Sequence, residues 1–335
     1  MAERNYSFDV IRIMAMVLIV FMHTPIPGVG TPGVVLSTLS YLTAPGIGLF
    51  LMISGALLLE NKLSQSDFLK RRFSKVLWPT LFWTVVYLIV SYIKEPIGSK
   101  ELLRMICNIP FEKQGHGVLW FMYTLAGLYL LTPILSQWLK KATKREVEFY
   151  LLLWAITLLY PYLKLVFTVN TEPTGILYYF TGYSGYFLLG YYLKHYVIVH
   201  RIGTRKIVAC FVSIMMCVLL VFAAKMFKPD VKISELFWYL SFPVAVMATS
   251  YFILLSKVKV PHCSRKVIVK LSALSFGVYL CHILVMRTGL WNIDVIHNCG
   301  ALMHIPVVAV LTCVLSWCLS YIISKLPFSK YIIGV

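Results

Sequence analysis

Long apolar stretches alternate along this chain with short polar or basic segments. They run over 8–24, 34–59, 77–93, 117–139, 148–168, 176–193, 207–224, 235–256, 271–291 and 301–325. None alternates with the period of two that a lipid-facing barrel strand requires. Most approach the ~20 residues with which a helix crosses a ~30 Å hydrocarbon core. The pattern predicts an all-α, polytopic integral membrane protein with about ten transmembrane helices.

The first stretch, FDVIRIMAMVLIVFMH, breaks its own pattern with Asp9 and Arg12 near one end and His23 near the other. At ~100° per residue, eleven steps bring His23 back to within ~20° of Arg12, ~16 Å further along the axis. Both therefore lie on one face. Asp9 stands three residues before Arg12, a spacing suited to an ion pair. Charges at membrane depth are costly and tend to face protein or a water-filled cavity. Two readings follow: an interfacial Asp9–Arg12 pair with His23 below the opposite headgroups, or one wall of a polar cavity.

After the second stretch, SQSDFLKRRFSK changes character. Ser64 and Asp67 form a capping pattern that starts a helix. Phe68, Leu69, Phe73 and Val76 recur at helical spacing, with Lys70, Arg71 and Lys75 projecting elsewhere. A short cytoplasmic amphipathic helix at the membrane surface is expected, binding anionic lipid headgroups or clamping the phosphates of a polyanionic cofactor. Segment 25–33, PIPGVGTPG, predicts a rigid irregular turn, and 94–116 is a longer connection ending KQGHG. His116 and Trp120 sit at the mouth of the fourth stretch, and Trp120 also suits an interfacial anchor. The tyrosines of YYFTGYSGYFLLGYYL suit either a sugar path or helix packing. His282 lies within the ninth stretch, as a buried structural histidine or a functional one.

Composition sharpens the class. Hydrophobic residues make up 59% and charged ones 13%, with a mean hydropathy of +0.80, which excludes an ordinary soluble domain. Asp9 and Arg12 interrupt the first stretch and no small-residue cleavage site follows it, so it does not read as a removable signal peptide. The net charge of +18 is spread over short connections rather than gathered on one module, which argues against a nucleic-acid partner. With the N-terminus inside, inside segments carry 21 of the 31 Lys and Arg and outside segments nine, Arg12 lying within the first helix. That bias predicts both termini in the cytoplasm. The eight cysteines show no CxxC spacing and no metal site is expected. Cys107 and Cys299 fall in outside segments, where an oxidising compartment would let them pair. No Walker loop, HExxH or GxSxG is present.

With these features in place, the chain resembles the membrane acyltransferase 3 family. The resemblance rests on Asp9, Arg12 and His23 in FDVIRIMAMVLIVFMH, whose Arg and His stand eleven apart. It continues through FLMISGALLL (50–59), KRRFSKVLWP (70–79), VLWFMYTLAGLYLLTP (118–133), YFLLGYYL (186–193) and LSFGVYLCH (274–282). Two positions depart from the family's pattern. Lys75 stands where a second Arg is common, and Val118 where a His often precedes the LWF block.

The resemblance implies a single transmembrane domain over 1–335, with no appended soluble domain, in the cytoplasmic (inner) membrane. Its activity would be O-acyl transfer, typically of acetyl from cytosolic acetyl-CoA, to a hydroxyl of a surface polysaccharide or lipid-linked glycan at the outer face. His23 would act as general base, with direct transfer and an acyl-His relay both open; Asp9 would orient Arg12. Arg71, Arg72 and Lys75, with Arg12, would hold CoA, while His116, Trp120 and His282 would face the acceptor. Membrane lipids and glycan-assembly proteins are the other partners implied. An exporter or flippase-like component, or an assembly subunit, of a polysaccharide system is the rival expectation.

Overall fold

The computed structural model describes residues 4–24, 31–61, 63–95, 98–109, 119–198, 202–227, 236–290 and 301–335, and no strand occurs among them. In chain order the helices of nine residues or more are α1 (Tyr6–His23), α2 (Thr31–Ser40), α3 (Gly46–Leu58), α4 (Gln65–Lys94), α5 (Ser99–Asn108) and α6 (Trp120–Leu139). They continue with α7 (Lys144–Thr157), α8 (Ser184–Tyr192), α9 (Thr204–Phe227), α10 (Phe242–Leu255), α11 (Arg265–Leu284) and α12 (Ala301–Ile323). Every apolar stretch of the sequence contains a helix.

Seven helical stretches among the described residues are long and apolar enough to cross a membrane, against the ten expected. At 1.5 Å per residue the nine residues of α8 rise ~13 Å and the fourteen of α10 ~21 Å, short of a ~30 Å core. α6 has the length, with 20 residues, but carries Thr124, Pro133, Ser136 and Gln137. The second stretch, read as continuous, is interrupted between α2 and α3 by a 3₁₀ turn at Tyr41–Thr43. Pro45 follows that turn and has no N–H to continue an α ladder.

α4 begins as expected, with Ser64 Oγ accepting the Asp67 N–H at 3.1 Å. The short amphipathic helix expected there is not separate, however: α4 runs unbroken for 30 residues. Its first turns do keep the pattern, with Phe68 and Val76 buried and Arg71 and Lys75 exposed. The helix passes through Pro79, which leaves the Lys75 carbonyl without its i+4 donor. Gly334, at φ +73°, approaches that carbonyl so closely that a Cβ there would lie 2.8 Å from it. The final turn thus covers the exposed ladder.

The chain gathers into two compact units, Met1–Asn61 with Ile134–Ser272 and Ala301–Ile305, and Lys62–Pro133 with Ala273–Gly300 and Pro306–Val335. In the first unit α3 and α8 cross backbone to backbone. A Cβ on Gly55 would fall 1.8 Å from the Phe187 carbonyl oxygen, and one on Gly190 would fall 1.8 Å from that of Met52. Small residues at such crossings let helices in a membrane gain dispersion contact that larger side chains would prevent. The Trp154 ring lies over Gly185 and donates from Nε1 to the Gly182 carbonyl at 2.9 Å.

The second unit is tied by side chains reaching backbone carbonyls. Tyr87 Oη donates to Leu280 O and Trp83 Nε1 to Ile332 O, each at 2.9 Å. Phe68 meets Tyr129 edge-on at 6.3 Å between centroids.

Candidate functional site on the first helix

Asn5 starts α1, its side-chain oxygen accepting the Ser7 N–H at 3.1 Å. Arg4, just outside the helix, folds back over this first turn and grips Asp9 with both prongs, Nε to Oδ2 and Nη2 to Oδ1, each at 2.9 Å. The expected Asp9–Arg12 pair is corrected by this contact. The guanidinium fork matches both carboxylate oxygens at once, and an Arg on the extended lead-in has the freedom to reach them. Asp9 is buried beneath it. The hydrogen bond to Asp9 moves Arg4 above its ordinary pKa against the smaller opposing effect of burial.

Arg12 instead donates from Nη1 to Ser272 Oγ on α11 at 3.2 Å. Ser272 is itself buried. Arg265, at the start of the same helix, stands over the Tyr6 ring at 4.8 Å. Two polar contacts thus fix α1 to α11 at the Arg12 end. Neither Arg4 nor Ser272 was identified from sequence. Arg4 lies outside the helical register of the first apolar stretch, and Ser272 is one of many small polar residues in apolar stretches.

His23 occupies the last turn of α1 and is half-buried. Its Nδ1 lies 2.8 Å from the Ile19 carbonyl oxygen. A carbonyl only accepts, so Nδ1 carries a proton, and in its neutral form a ring held this way has its lone pair on Nε2. This is the tautomer a general base requires. Beside it, Tyr239 Oη donates to Met22 Sδ at 3.4 Å.

The remaining residues expected at the site belong to the second unit, apart from His116, which lies outside the described residues. Arg71 and Lys75 are exposed one turn apart on α4, and Arg72 is half-buried between them. Trp120 is half-buried and meets Phe121 edge-on at 6.0 Å. His282 is fully enclosed, with Nδ1 2.6 Å from the Tyr279 carbonyl oxygen. Its ring centroid lies 5.7 Å from that of Tyr279, which in turn packs on Phe121 at 5.5 Å. The sugar-path expectation meets packed tyrosines in the first unit. Tyr186 is buried and donates to Tyr239 O at 2.6 Å, and Tyr192 donates to Glu148 at 2.6 Å.

Among the described residues no group of three or more His, Cys, Asp or Glu is placed to hold a metal ion. Cys107 is exposed, and Cys299 lies outside the described residues.

A family model described as an acyltransferase domain, of the acyltransferase 3 type, matches residues 5–322. No curated protein and no solved structure matches the chain. The matched stretch takes in α1 with Asp9, Arg12 and His23, begins one residue after Arg4, and extends almost to the end of α12. Over nearly its whole length, then, the chain belongs to the membrane acyltransferase 3 family.

Proposed function

We propose that this acyltransferase moves an acetyl group from cytosolic acetyl-CoA to a hydroxyl of a surface polysaccharide or lipid-linked glycan on the outer side of the cytoplasmic membrane. Both termini face the cytoplasm in this reading. The observation that carries it is the contact of His23 Nδ1 with the Ile19 carbonyl, which fixes the imidazole at the end of α1, in a chain of acyltransferase family.

In the reaction Nε2 takes the proton of the acceptor hydroxyl as its oxygen attacks the thioester carbonyl carbon. The tetrahedral intermediate then expels the CoA sulfur, the C–S bond breaks, and the leaving thiolate takes the proton from the imidazolium. Arg71, Arg72 and Lys75 hold CoA phosphates, Lys75 as a point charge rather than a fork. Arg12, steadied by Ser272, meets the anionic donor on the cytoplasmic side. Asp9 serves Arg12 only indirectly, by tying Arg4 down at the start of α1. Trp120 lies towards the acceptor. His282, fully enclosed, supports that side through packing.

The test is acyl incorporation from labelled acetyl-CoA into glycan in proteoliposomes, comparing wild type with His23→Ala at matched abundance. Removing a general base lowers the rate by ~10²–10⁴-fold. Equal incorporation by both proteins overturns the role of His23. Glycan export without incorporation by either protein favours the exporter reading instead.

A further inference from the structure

Within the first unit, α7, α8, α9 and α10 enclose a groove of about 510 Å³. Leu152, Ala155, Leu189, Ala245 and Val246 make its lining overwhelmingly apolar, and exposed Leu152 and Phe242 stand at its rim. The volume falls within the ~300–1,000 Å³ typical of ligand sites. The charged group of the lining is Glu148, which accepts from Tyr192 at 2.6 Å and pairs with Lys144 at 3.4 Å; Ser213, Thr249 and Ser250 are its small polar members.

Beyond Glu148 the charge is positive. Lys144 and Arg145 occupy the first turn of α7, and Arg205 and Lys206 that of α9. Lys144, Arg205 and Lys206 precede the lining residues Glu148, Ala209 and Cys210 by four positions, and Arg145 precedes Leu152 by seven, so all four stand on groove-facing stripes. The acidic groups nearby are already engaged, Glu146 by the Thr143 cap and Glu148 as above. Both helices also present their positive N-terminal ends here. An apolar channel with a cationic mouth is complementary to a hydrocarbon chain bearing an anionic head.

We propose that this groove is a site for an anionic phospholipid, one acyl chain lying along Ala155, Ala245 and Val246 and the phosphate facing Lys144, Arg145, Arg205 and Lys206. None of the acyl-transfer residues lines the groove, and the proposal does not depend on their roles.

Native mass spectrometry of the protein released from mixed phosphatidylglycerol and phosphatidylcholine nanodiscs tests it. Wild type retains phosphatidylglycerol in preference by at least about fivefold, since each surface cation favours an anionic lipid by roughly that factor. Ser213→Trp places an indole in the groove from a half-buried lining position and abolishes retention, while the thermal midpoint in detergent shows that the fold survives. Replacing Lys144, Arg145, Arg205 and Lys206 by Gln leaves retention but removes the preference. Equal retention of both lipids by wild type, or an undiminished preference in both variants, overturns the proposal. So does a change of oligomeric state in Ser213→Trp with lipid retention intact, which would show a second copy seated on the groove.

Discussion

The α3–α8 crossing in the first unit and the aromatic ties of α4 in the second are opposite devices. In the first, α3 and α8 touch because Gly55 and Gly190 have no side chains, so each helix offers a carbonyl to the other's bare Cα. Such Cα–H···O contacts are individually weak, and the gain lies in close dispersion contact. In the second unit the ties are Tyr87 to Leu280 and Trp83 to Ile332, side chains reaching out to single carbonyls. Interhelical hydrogen bonds of this kind contribute only ~0.6–1.7 kcal/mol each in a membrane. A device built on absence fails completely when something is added. One built on separate bonds loses stability in instalments.

Substitutions test that contrast in descending order of effect. Gly55→Ala or Gly190→Ala drives a methyl into a backbone carbonyl and costs roughly 4 kcal/mol or more, beyond ordinary overpacking. The folded yield in detergent should collapse for either. A normal thermal midpoint would show that the crossing yields and would end the comparison. Tyr87→Phe removes one bond to Leu280 and costs ~0.6–1.7 kcal/mol, read as a lower unfolding midpoint with folding intact. Outside both devices, Thr143→Ala removes the capping box of α7 and costs ~1 kcal/mol. Gly127→Ala sharpens the contrast from the other side: this exposed helical glycine has no atom within 4 Å of a built Cβ. Alanine there should stabilise α6 by up to ~1 kcal/mol through helix propensity, raising the midpoint slightly.

What the sequence revealed was what local physics decides. The start of α4 at Ser64 depends on residues three apart, and the face shared by Arg12 and His23 depends on helical pitch alone. The rest required partners distant in sequence or backbone outside the regular register. Arg12 meets Ser272, 260 positions away, and no spacing rule reaches that far. Arg4 precedes the helix and so lies outside the periodicity that relates Asp9 to its neighbours. α4 was expected to stop near Lys75, yet Pro79 lies inside it; the Gly334 approach that covers the resulting gap cannot be read from local spacing. The π-helical turns at Leu193–Ile198 and Val285–Leu290 left no signal in the apolar pattern either.

The α3–α8 crossing also has a kinematic meaning. Two backbones meshed at Gly55 and Gly190 cannot slide past each other by even one residue without driving a side chain into a carbonyl, so the pair translates and rotates as one lever. The 3₁₀ turn at Tyr41–Thr43 and Pro45 lies just before α3, and the π-helical turn Leu193–Ile198 follows directly after α8. Motion of this lever is passed to the chain at its four ends, and these two irregular stretches stand at opposite ends of it.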